Sequence, residues 1–374
     1  MNQQPTLPLE NVIKPDGCLP SVDEEYLNAV YRDWRPARPT KVFATYWYFA
    51  AARQQVFFRR LRGEAPPWTL DPILAHHRFT NAYRASDRVS LYLIRNVQYP
   101  QDFEPTADDL FFRTILFKVF NRIETWQLLE HELGPPLWKR YRFDQYDAVL
   151  TKAMERGQRI FSAAYIMPSG NSAFGQTRKH RTFLLLIESM MADALPRRLA
   201  RARSLREVFE EIRSYPTMGD FLAFQYAIDL NYSPLLDFRE SSFVVAGPGA
   251  KDGIRKCFSE TGGLSDEGII DRMAERQERE FGRLGIDFKS LWGRPLQLID
   301  CQNLFCEVDK YARVAHPEVA GISGRTRIKQ SYSPGPTASP PIPWYPPKWG
   351  LNERLTSCGR SSQDIERLHN LGTE

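Results

Sequence analysis

Residues 216–233, PTMGDFLAFQYAIDLNYS, join two segments whose apolar residues have helical spacing. The first segment begins after Ser204, a helix N-cap residue that Glu207 follows three positions later. The second segment places four side chains on one face, Leu222, Gln225, Tyr226 and Asp229. A P-x-x-G turn between helices is what a helix-hairpin-helix uses to aim backbone N–H groups at a DNA phosphate. The stretch therefore predicts a helical hairpin whose turn, at Thr217 and Gly219, binds DNA.

The rest of the central sequence also has mainly helical patterning. Asp71 followed by Pro72 is an N-cap with proline at the first helical position. Thr106 and Asp109 form a capping-box signal for one helix that continues through Leu110, Ile115, Val119, Ile123 and Trp126. Strand-like stretches are few, and the clearest is Phe-Val-Val-Ala at residues 243–246. The sequence therefore predicts a mainly α body.

Two flanking segments differ in composition from this body. Residues 1–40 hold six prolines with little periodicity and are predicted to form an extended arm. Residues 331–374 begin with a proline-rich part that also contains Trp344, Tyr345 and Trp349, and they are predicted to form a polyproline-type strap and a tail. The last stretch, 351–374, is expected either to end in a short helix at 363–371 or to be loose. We expect residues 41–330 to form one helical body.

The composition excludes several classes of protein. The 374 residues are 42% hydrophobic and 25% charged, which is typical of globular proteins. The five cysteines are odd in number and scattered, which argues against a disulfide framework. No apolar run is long enough to span a membrane, and the N-terminus lacks the basic-then-apolar order of a signal peptide. We therefore expect a cytoplasmic monomer without membrane contacts.

Arginine is concentrated in four short segments. The formal net charge is +5, so the distribution of charge is more informative than its sum. The segments cover residues 59–62, 78–88, 178–181 and 197–206. Guanidinium groups form bidentate hydrogen bonds with phosphates, which favours DNA binding, but solvated helix faces have the same composition.

Residues 243–256, FVVAGPGAKDGIRK, combine glycines with basic side chains. Successive glycines before a helix favour an anion-binding nest, to which Lys251, Arg255 and Lys256 add positive charge. The sequence contains no G-x-x-x-x-G-K-[ST] run, so we do not expect this chain alone to carry out nucleoside-triphosphate chemistry. It also lacks the G-x-G-x-x-G spacing of a dinucleotide site.

Residues 78–88, RFTNAYRASDR, carry a possible nucleic-acid contact. Arg78, Asn81 and Arg88 share a helix face that suits phosphate or base-edge contacts. An ordinary ion pair between Arg84 and Asp87 is the alternative for this segment.

Residues 300–313, DCQNLFCEVDKYAR, carry a polar stripe. Asn303, Glu307 and Lys310 lie at i, i+4 and i+7, and beside apolar neighbours they are expected to form a partly buried network. Cys301 and Cys306 lack the spacing of zinc ligands. We expect neither a metal nor a cofactor.

Five segments taken together resemble one family of DNA-acting proteins. They are PPWTLDPIL (66–74), RFTNAYRASDR (78–88), PTMGDFLAFQYAIDLNYS (216–233), FVVAGPGAKDGIRKCF (243–258) and DCQNLFCEVDKYARVAHP (300–317). In this order they resemble the α-glutamyl/putrescinyl-thymine pyrophosphorylase clade. That clade is allied to the helical domain found with hydroxymethyluracil DNA kinases and belongs to the helix-hairpin-helix DNA glycosylase superfamily. The resemblance spans roughly residues 41–349 and implies an all-helical, base-flipping enzyme.

Two departures from that superfamily leave its catalytic carboxylate open. Thr217 replaces the first glycine of the L-P-G-x-G hairpin. Residues 246–249, AGPG, stand where a catalytic aspartate usually follows a short apolar run. The candidates are Asp229, Glu240, Asp237 and Asp252, of which we favour Asp229 and Glu240.

The resemblance favours a DNA glycosylase that flips and excises a bulky modified pyrimidine, such as glucosylated hydroxymethylcytosine or a modified thymine, in phage defence. Asp229 or Glu240 would stabilise the oxocarbenium-like sugar or orient water. The expected base contacts are Asn81, Tyr226, Gln302 and Asn303. The expected DNA contacts are Gly219, Thr217, Arg78, Arg84, Arg88, Lys251, Arg255 and Lys256.

Two other functions remain open. The first is a transferase in which an amine or amino acid displaces pyrophosphate from a pyrophosphomethyl-uracil base in DNA. Lys251, Arg255 and Lys256 would then hold the leaving group, and a carboxylate would deprotonate the amine. The second is a DNA-binding module that recognises modified bases without turnover.

Overall fold

The computed structural model describes residues 17–163, 171–333 and 342–356, apart from the side chains of residues 171, 172 and 356. These residues are mainly helical, which confirms the predicted fold class. In chain order the helices are α1 (Glu24–Trp34), α2 (Lys41–Leu61), α3 (Pro72–His76), α4 (Arg88–Tyr92), α5 (Ala107–Phe120), α6 (Ile123–Leu133), α7 (Phe143–Glu155), α8 (Asn171–Phe174), α9 (Lys179–Ala192), α10 (Leu195–Leu199), α11 (Leu205–Arg213), α12 (Asp220–Tyr232), α13 (Pro248–Cys257), α14 (Asp266–Arg283), α15 (Leu298–Ala315) and α16 (Asn352–Thr356).

Shorter elements connect these helices. A π-helix covers Leu93–Gln98, and 3-10 turns cover Arg84–Ser86, Trp138–Arg140 and Pro347–Trp349. Two short strands, β1 (Arg38–Pro39) and β2 (Phe258–Glu260), pair in antiparallel fashion. No helix among the described residues is both long enough and apolar enough to cross a membrane.

The chain divides into two compact units, where the sequence predicted one body over 41–330. Unit 1 holds the residues up to Ser86, those from Ala246 to Ile342 and those from Arg354 onward. Unit 2 holds Asp87–Val245 and Pro343–Glu353. Each predicted site residue therefore belongs to one or the other unit.

The core of unit 1 is built on α2, α13 and α15. Helix α2 begins after Thr40, whose side chain accepts a hydrogen bond from the Val42 N–H group. Helices α13 and α15 cross so closely that a Cβ atom at Gly253 would lie 2.1 Å from the carbonyl oxygen of Phe305. Glycine is therefore required for this crossing, because any larger residue would force the two helices apart.

Part of the predicted extended arm is helical. Helix α1 begins after Asp23, which accepts a hydrogen bond from the Tyr26 N–H group, and it ends at Trp34. The indole Nε1 of Trp34 donates to Glu280 at 3.0 Å, and the Arg272 guanidinium lies 5.0 Å from its ring centre. The prediction of an extended arm is wrong over these residues, because an amphipathic helix buries Trp34 in unit 1.

The core of unit 2 is built on α5 and α12, which are buried along most of their lengths. The predicted capping box of Thr106 and Asp109 is confirmed at the start of α5. The prediction of one helix through Trp126 is wrong, since Asn121 adopts a left-handed conformation with φ 49° and α6 begins at Ile123. Asparagine tolerates this conformation better than most residues, and its side chain accepts a hydrogen bond from Lys118.

The predicted strand at 243–246 is not a strand. In the sequence it follows α12 and precedes α13, and it pairs with no strand of the described residues. Phe243 packs against Phe209 and Phe224, with ring centres 5.2 and 5.8 Å away. The apolar run therefore reflects burial against helices, which periodicity does not distinguish from burial in a sheet.

The C-terminal strap contributes residues 343–353 to unit 2. The Lys348 ammonium group donates hydrogen bonds to three carbonyl oxygens, that of Asn231 in the last turn of α12 and those of Ser233 and Leu236 after the helix ends. The ring of Trp349 packs edge-on against Tyr232 at 5.5 Å. The helix expected at 363–371 lies outside the described residues.

Candidate functional site

The predicted helical hairpin is formed by α11, a turn at 214–219 and α12 in unit 2. Ser204 caps α11 by accepting a hydrogen bond from the Glu207 N–H group at 3.1 Å. Thr217 adopts a left-handed conformation with φ 70°, which normally favours glycine. Gly219 is the N-cap of α12, and a Cβ atom there would meet nothing within 4 Å. The turn thus keeps its backbone accessible, although DNA contact at Thr217 and Gly219 remains a prediction.

Asp229, one of the two favoured carboxylates, is completely buried in unit 2. Its carboxylate lies 3.1 Å from the Lys118 ammonium group, and the two side chains are 0% and 4% exposed. Lys118 also donates to the Asn121 side chain at 2.9 Å. Burial and Asp229 together raise the pKa of the neighbouring Tyr226 well above its usual value. Asp229 and Tyr226 therefore reach a base or sugar only if this part of unit 2 opens.

Gln98 connects the π-helix to this buried pair. Its side-chain amide donates to the backbone oxygen of Asp229 at 2.7 Å and to the Thr114 hydroxyl at 3.2 Å. The Arg113 guanidinium donates to the carbonyl oxygens of Asn96 and Val97, which the irregular helix leaves available. The polar groups around Asp229 are thus held by a hydrogen-bonded network, which is rigid in a low-dielectric interior.

Glu240, the second favoured carboxylate, lies in the loop that follows α12. Its residue is 5% exposed. The Asn231 side chain holds this loop, because it donates to the Phe238 oxygen and accepts from the Phe238 N–H group, each at 2.9 Å. Asp237 lies in the same loop and is exposed. Glu240 is therefore nearer to solvent than Asp229.

The glycine-rich segment does not form the predicted anion nest. Gly249 and Gly253 lie inside α13, and its N-cap Gly247 has φ −72°, so the alternation with positive φ that a nest requires is missing. A Cβ at Gly249 would lie 3.1 Å from the Sγ of Cys306, so these glycines serve the packing of α13 on α15. Sequence does not distinguish glycine needed for close packing from glycine needed for a ligand.

The three basic side chains of α13 have different surroundings. Lys251 is exposed. Arg255 forms an ion pair with Asp266 at 2.8 Å. Lys256 is 2% exposed and pairs with the equally buried Asp309 at 3.0 Å. Contact of Lys256 with DNA would therefore require a buried ion pair to open.

Residues 78–84 pack along the predicted polar stripe of α15 in unit 1. The Lys310 ammonium group donates to the Arg78 oxygen at 3.2 Å and to Glu307 at 2.7 Å. Glu307 also accepts a hydrogen bond from the Thr80 N–H group at 3.1 Å. Asp300 accepts one from the Arg84 N–H group at 2.8 Å. The stripe is thus a partly buried network, as expected.

The expected base contacts of unit 1 lie in and beside this network. The Asn81 amide donates to the Ser86 oxygen at 2.6 Å. Gln302 is completely buried and donates to the Cys306 sulfur at 3.1 Å, whereas Asn303 is 8% exposed. Burial raises the pKa of Asp300 to about 6, although two backbone N–H groups bind its carboxylate.

The predicted DNA-contacting arginines differ in exposure. Arg78 in unit 1 and Arg88 in unit 2 are exposed, whereas Arg84 is 1% exposed. Unit 1 thus holds Arg78, Asn81, Arg84, Lys251, Arg255, Lys256, Gln302 and Asn303, and unit 2 holds Arg88, Thr217, Gly219, Tyr226, Asp229 and Glu240. Among the described residues, no three His, Cys, Asp or Glu side chains are arranged to hold a metal ion.

Two members of these networks, Lys118 and Gln98, were not predicted from the sequence. Lys118 follows an apolar run, FFRTILFK, and a lysine at such a position is rarely buried without a charged partner. That pattern is a usable signal for a buried ion pair. The identity of the partner, Asp229, requires the fold.

Comparison with known proteins identifies relatives of this chain. Residues 40–321 match a family model described as the helical domain of 5-hmdU DNA kinase. The chain is 28% identical to a 5-hmdU DNA kinase of Bacillus phage SP10 over 315 residues, which cover 78% of this chain and 49% of that protein. The chain thus spans about half the length of this curated relative. No solved structure matches the chain.

These matches overturn the predicted glycosylase activity. Both the family and the relative are named for a DNA kinase, which is a transferase and not a hydrolase. The prediction of base excision is therefore wrong. The resemblance to the kinase-associated helical domain is confirmed, whereas membership of the helix-hairpin-helix glycosylase superfamily stays a prediction.

Proposed function

Because this chain belongs to the family of 5-hmdU DNA kinase helical domains, we propose that it acts on modified thymine bases in phage-type DNA. The observation that carries this proposal is the match over residues 40–321, a range that contains every predicted site residue. The curated relative, named for 5-hmdU in DNA, supports DNA with a modified pyrimidine as the substrate.

The reaction that we propose is transfer of an amine or amino acid to a pyrophosphomethyl-uracil base in DNA. The amine nitrogen forms a bond to the exocyclic methylene carbon as the bond from that carbon to pyrophosphate breaks. The amine gives up a proton, and pyrophosphate leaves as an anion. This transfer requires no nucleoside triphosphate, which agrees with the lack of a G-x-x-x-x-G-K-[ST] run in this sequence.

The amine proton needs an acceptor on the protein. Glu240 is the proposed acceptor of the amine proton. It is preferred to Asp229 because Glu240 is 5% exposed, whereas Asp229 is completely buried in unit 2.

The test is a duplex with one synthetic pyrophosphomethyl-uracil, incubated with the protein and a panel of amines and amino acids. Mass spectrometry of the nucleosides is expected to show a product with the mass of the added amine, and pyrophosphate is released in equal amount. Duplexes with thymine or hydroxymethyluracil are the substrate controls. Absence of both products with every amine would overturn the proposed reaction.

A variant of Glu240 tests its proposed role as acceptor of the amine proton. Glu240→Gln keeps the shape of the side chain and is expected to slow transfer on the order of 10²-fold, because it removes a general base. Arg239→Ala on the exposed loop beside Glu240 is a matched control.

Binding without turnover is the second candidate function. The burial of Asp229 in an ion pair favours it, since one of the two favoured carboxylates is enclosed. It predicts that affinity for DNA with the modified base survives Asp229→Ala and Glu240→Ala together and that no base is altered.

A further inference from the structure

Three arginine-rich segments of the sequence differ in what their side chains contact. In residues 59–62, Arg62 pairs with Glu64 at 2.6 Å, and Arg60 lies 5.0 Å over the ring of Trp68. In residues 178–181, Arg181 binds the Asp147 carboxylate through two hydrogen bonds of 2.7 and 2.8 Å. In both segments these guanidinium groups contact a carboxylate or an aromatic ring of the chain itself, so intramolecular contacts account for them.

Residues 197–206, which we call the arginine connector, differ from those segments. The connector joins α10 to α11 and exposes five arginines, Arg197, Arg198, Arg201, Arg203 and Arg206. Two of them are paired, Arg198 with Glu211 and Arg203 with Glu207. Arg197 and Arg201 have no side-chain hydrogen bond or ion pair with any residue that the structure describes.

The backbone places Arg197 and Arg201 one helical turn apart. Helix α10 ends at Leu199, but the Arg201 N–H group still donates to the Arg198 oxygen at 3.0 Å. Residues four apart in a helical conformation lie on the same face. Arg197 and Arg201 are therefore placed on the same face of this turn.

Arg206 adds a third cationic group at the start of α11. Its guanidinium carbon lies 4.5 Å from the centre of the Phe243 ring. Stacking on an aromatic face orients the planar group and leaves its N–H edge available for a bidentate acceptor. Arg206 is thus held in a geometry that suits phosphate.

The surface around the connector is charged and carries no exposed apolar anchor. Residues 195–213 hold six arginines against three glutamates, which leaves a formal charge of +3. The large exposed hydrophobic residues of the described chain, Leu70, Met154, Val314 and Ile322, all lie elsewhere in the sequence. Such a surface lacks the aromatic or aliphatic anchors that dominate protein interfaces, so a polyanion fits it better than a protein partner.

We infer that the arginine connector binds the phosphate backbone of DNA, with Arg197, Arg201 and Arg206 as the contacting side chains. This inference rests on the proposed function for the identity of the polyanion. The contacts recognise phosphodiesters and not bases, so they hold DNA without regard to its modification.

The test measures the affinity of the full chain for an unmodified fluorescent duplex at several salt concentrations. Each phosphate contact contributes about 0.9 to the slope of log affinity against log salt. Arg197→Ala with Arg201→Ala is therefore expected to lower the slope by roughly 1.8. If the variant and the unaltered chain have equal affinities when extrapolated to 1 M salt, the variant then binds roughly 60-fold more weakly at 0.1 M salt. Arg206→Ala is expected to lower the slope by about 0.9.

A matched pair controls for the loss of net charge. Arg156 and Arg159 are also exposed in unit 2, and Arg156→Ala with Arg159→Ala removes the same two charges. The inference is overturned if both double variants lower the slope equally, if the connector variant leaves it unchanged, or if the unaltered chain does not bind duplex DNA. No activated base or amine is present, so the slope is independent of the transfer reaction. A chain that fails to transfer an amine but shows the connector-specific loss would overturn the proposed reaction and retain this inference.

Discussion

Replacement of Lys118 by methionine is expected to destabilise unit 2 strongly. The substitution keeps most of the side-chain volume but removes the cation 3.1 Å from the buried Asp229 carboxylate. The Asn121 side chain also loses its donor at 2.9 Å. Removal of one partner from a buried ion pair typically costs about 3–5 kcal/mol, because the remaining buried charge loses its counterion.

A double variant distinguishes loss of the ion pair from loss of packing. Lys118→Met with Asp229→Leu removes both charges and fills the site with apolar groups, and such replacements are often neutral. We therefore expect the double variant to recover most of the stability that Lys118→Met loses. Gln98 still donates to the backbone oxygen of residue 229, so that hydrogen bond is common to all variants.

The assay is urea unfolding at neutral pH, followed by circular dichroism and tryptophan fluorescence. The two single variants and the double variant form a thermodynamic cycle. A loss below about 1 kcal/mol for Lys118→Met would refute the reasoning, since a charge left in a closed interior cannot be that inexpensive. A double variant less stable than either single variant would also contradict it, because packing would then dominate.

Four further outcomes are expected. Gly253→Ala places a Cβ atom 2.1 Å from a carbonyl oxygen of α15. The resulting overpacking is expected to lower the free energy of unfolding by about 1–3 kcal/mol, measured by chemical denaturation. The control is Gly282→Ala, whose Cβ meets nothing within 4 Å and should not lower stability. Lys348→Met leaves the carbonyl oxygens of Asn231, Ser233 and Leu236, in the last turn of α12 and in the loop after it, without this donor. A loss of about 1.5–3 kcal/mol is expected, and an unchanged unfolding midpoint would argue against this role. Burial raises the pKa of Asp300 to about 6, so the folded protein binds this proton more tightly than the unfolded chain. The stability that this proton contributes is complete below the ordinary carboxyl pKa and is lost as pH rises through 6. Asp300→Asn should remove that decline in thermal midpoints measured from pH 4 to 7.5. Thr217→Gly relieves a left-handed backbone at φ 70° and is expected to raise stability by about 0.5–1 kcal/mol, and a loss of stability would show that the threonine side chain contributes more than the strain costs.

Local signals in the sequence predicted the elements that depend on neighbouring residues. The N-cap at Asp71, the capping box at Thr106 and the cap at Ser204 all form as predicted, because each requires a hydrogen bond across three residues or fewer. The polar stripe of α15 was also predicted, since helical spacing fixes which side chains share a face. The resemblance to a kinase-associated helical domain came from the order of several such segments along the chain.

The tertiary structure decided the features that depend on distant residues. Burial pairs Lys118 with Asp229, which are far apart in sequence, and so encloses a carboxylate that was expected to be catalytic. The glycines of α13 were expected to bind an anion, but they allow contact with α15, because the same missing side chain serves either purpose. Patterns over a few residues determine helices and caps, whereas the exposure of a charge depends on which helix packs against it, and only the folded chain specifies that.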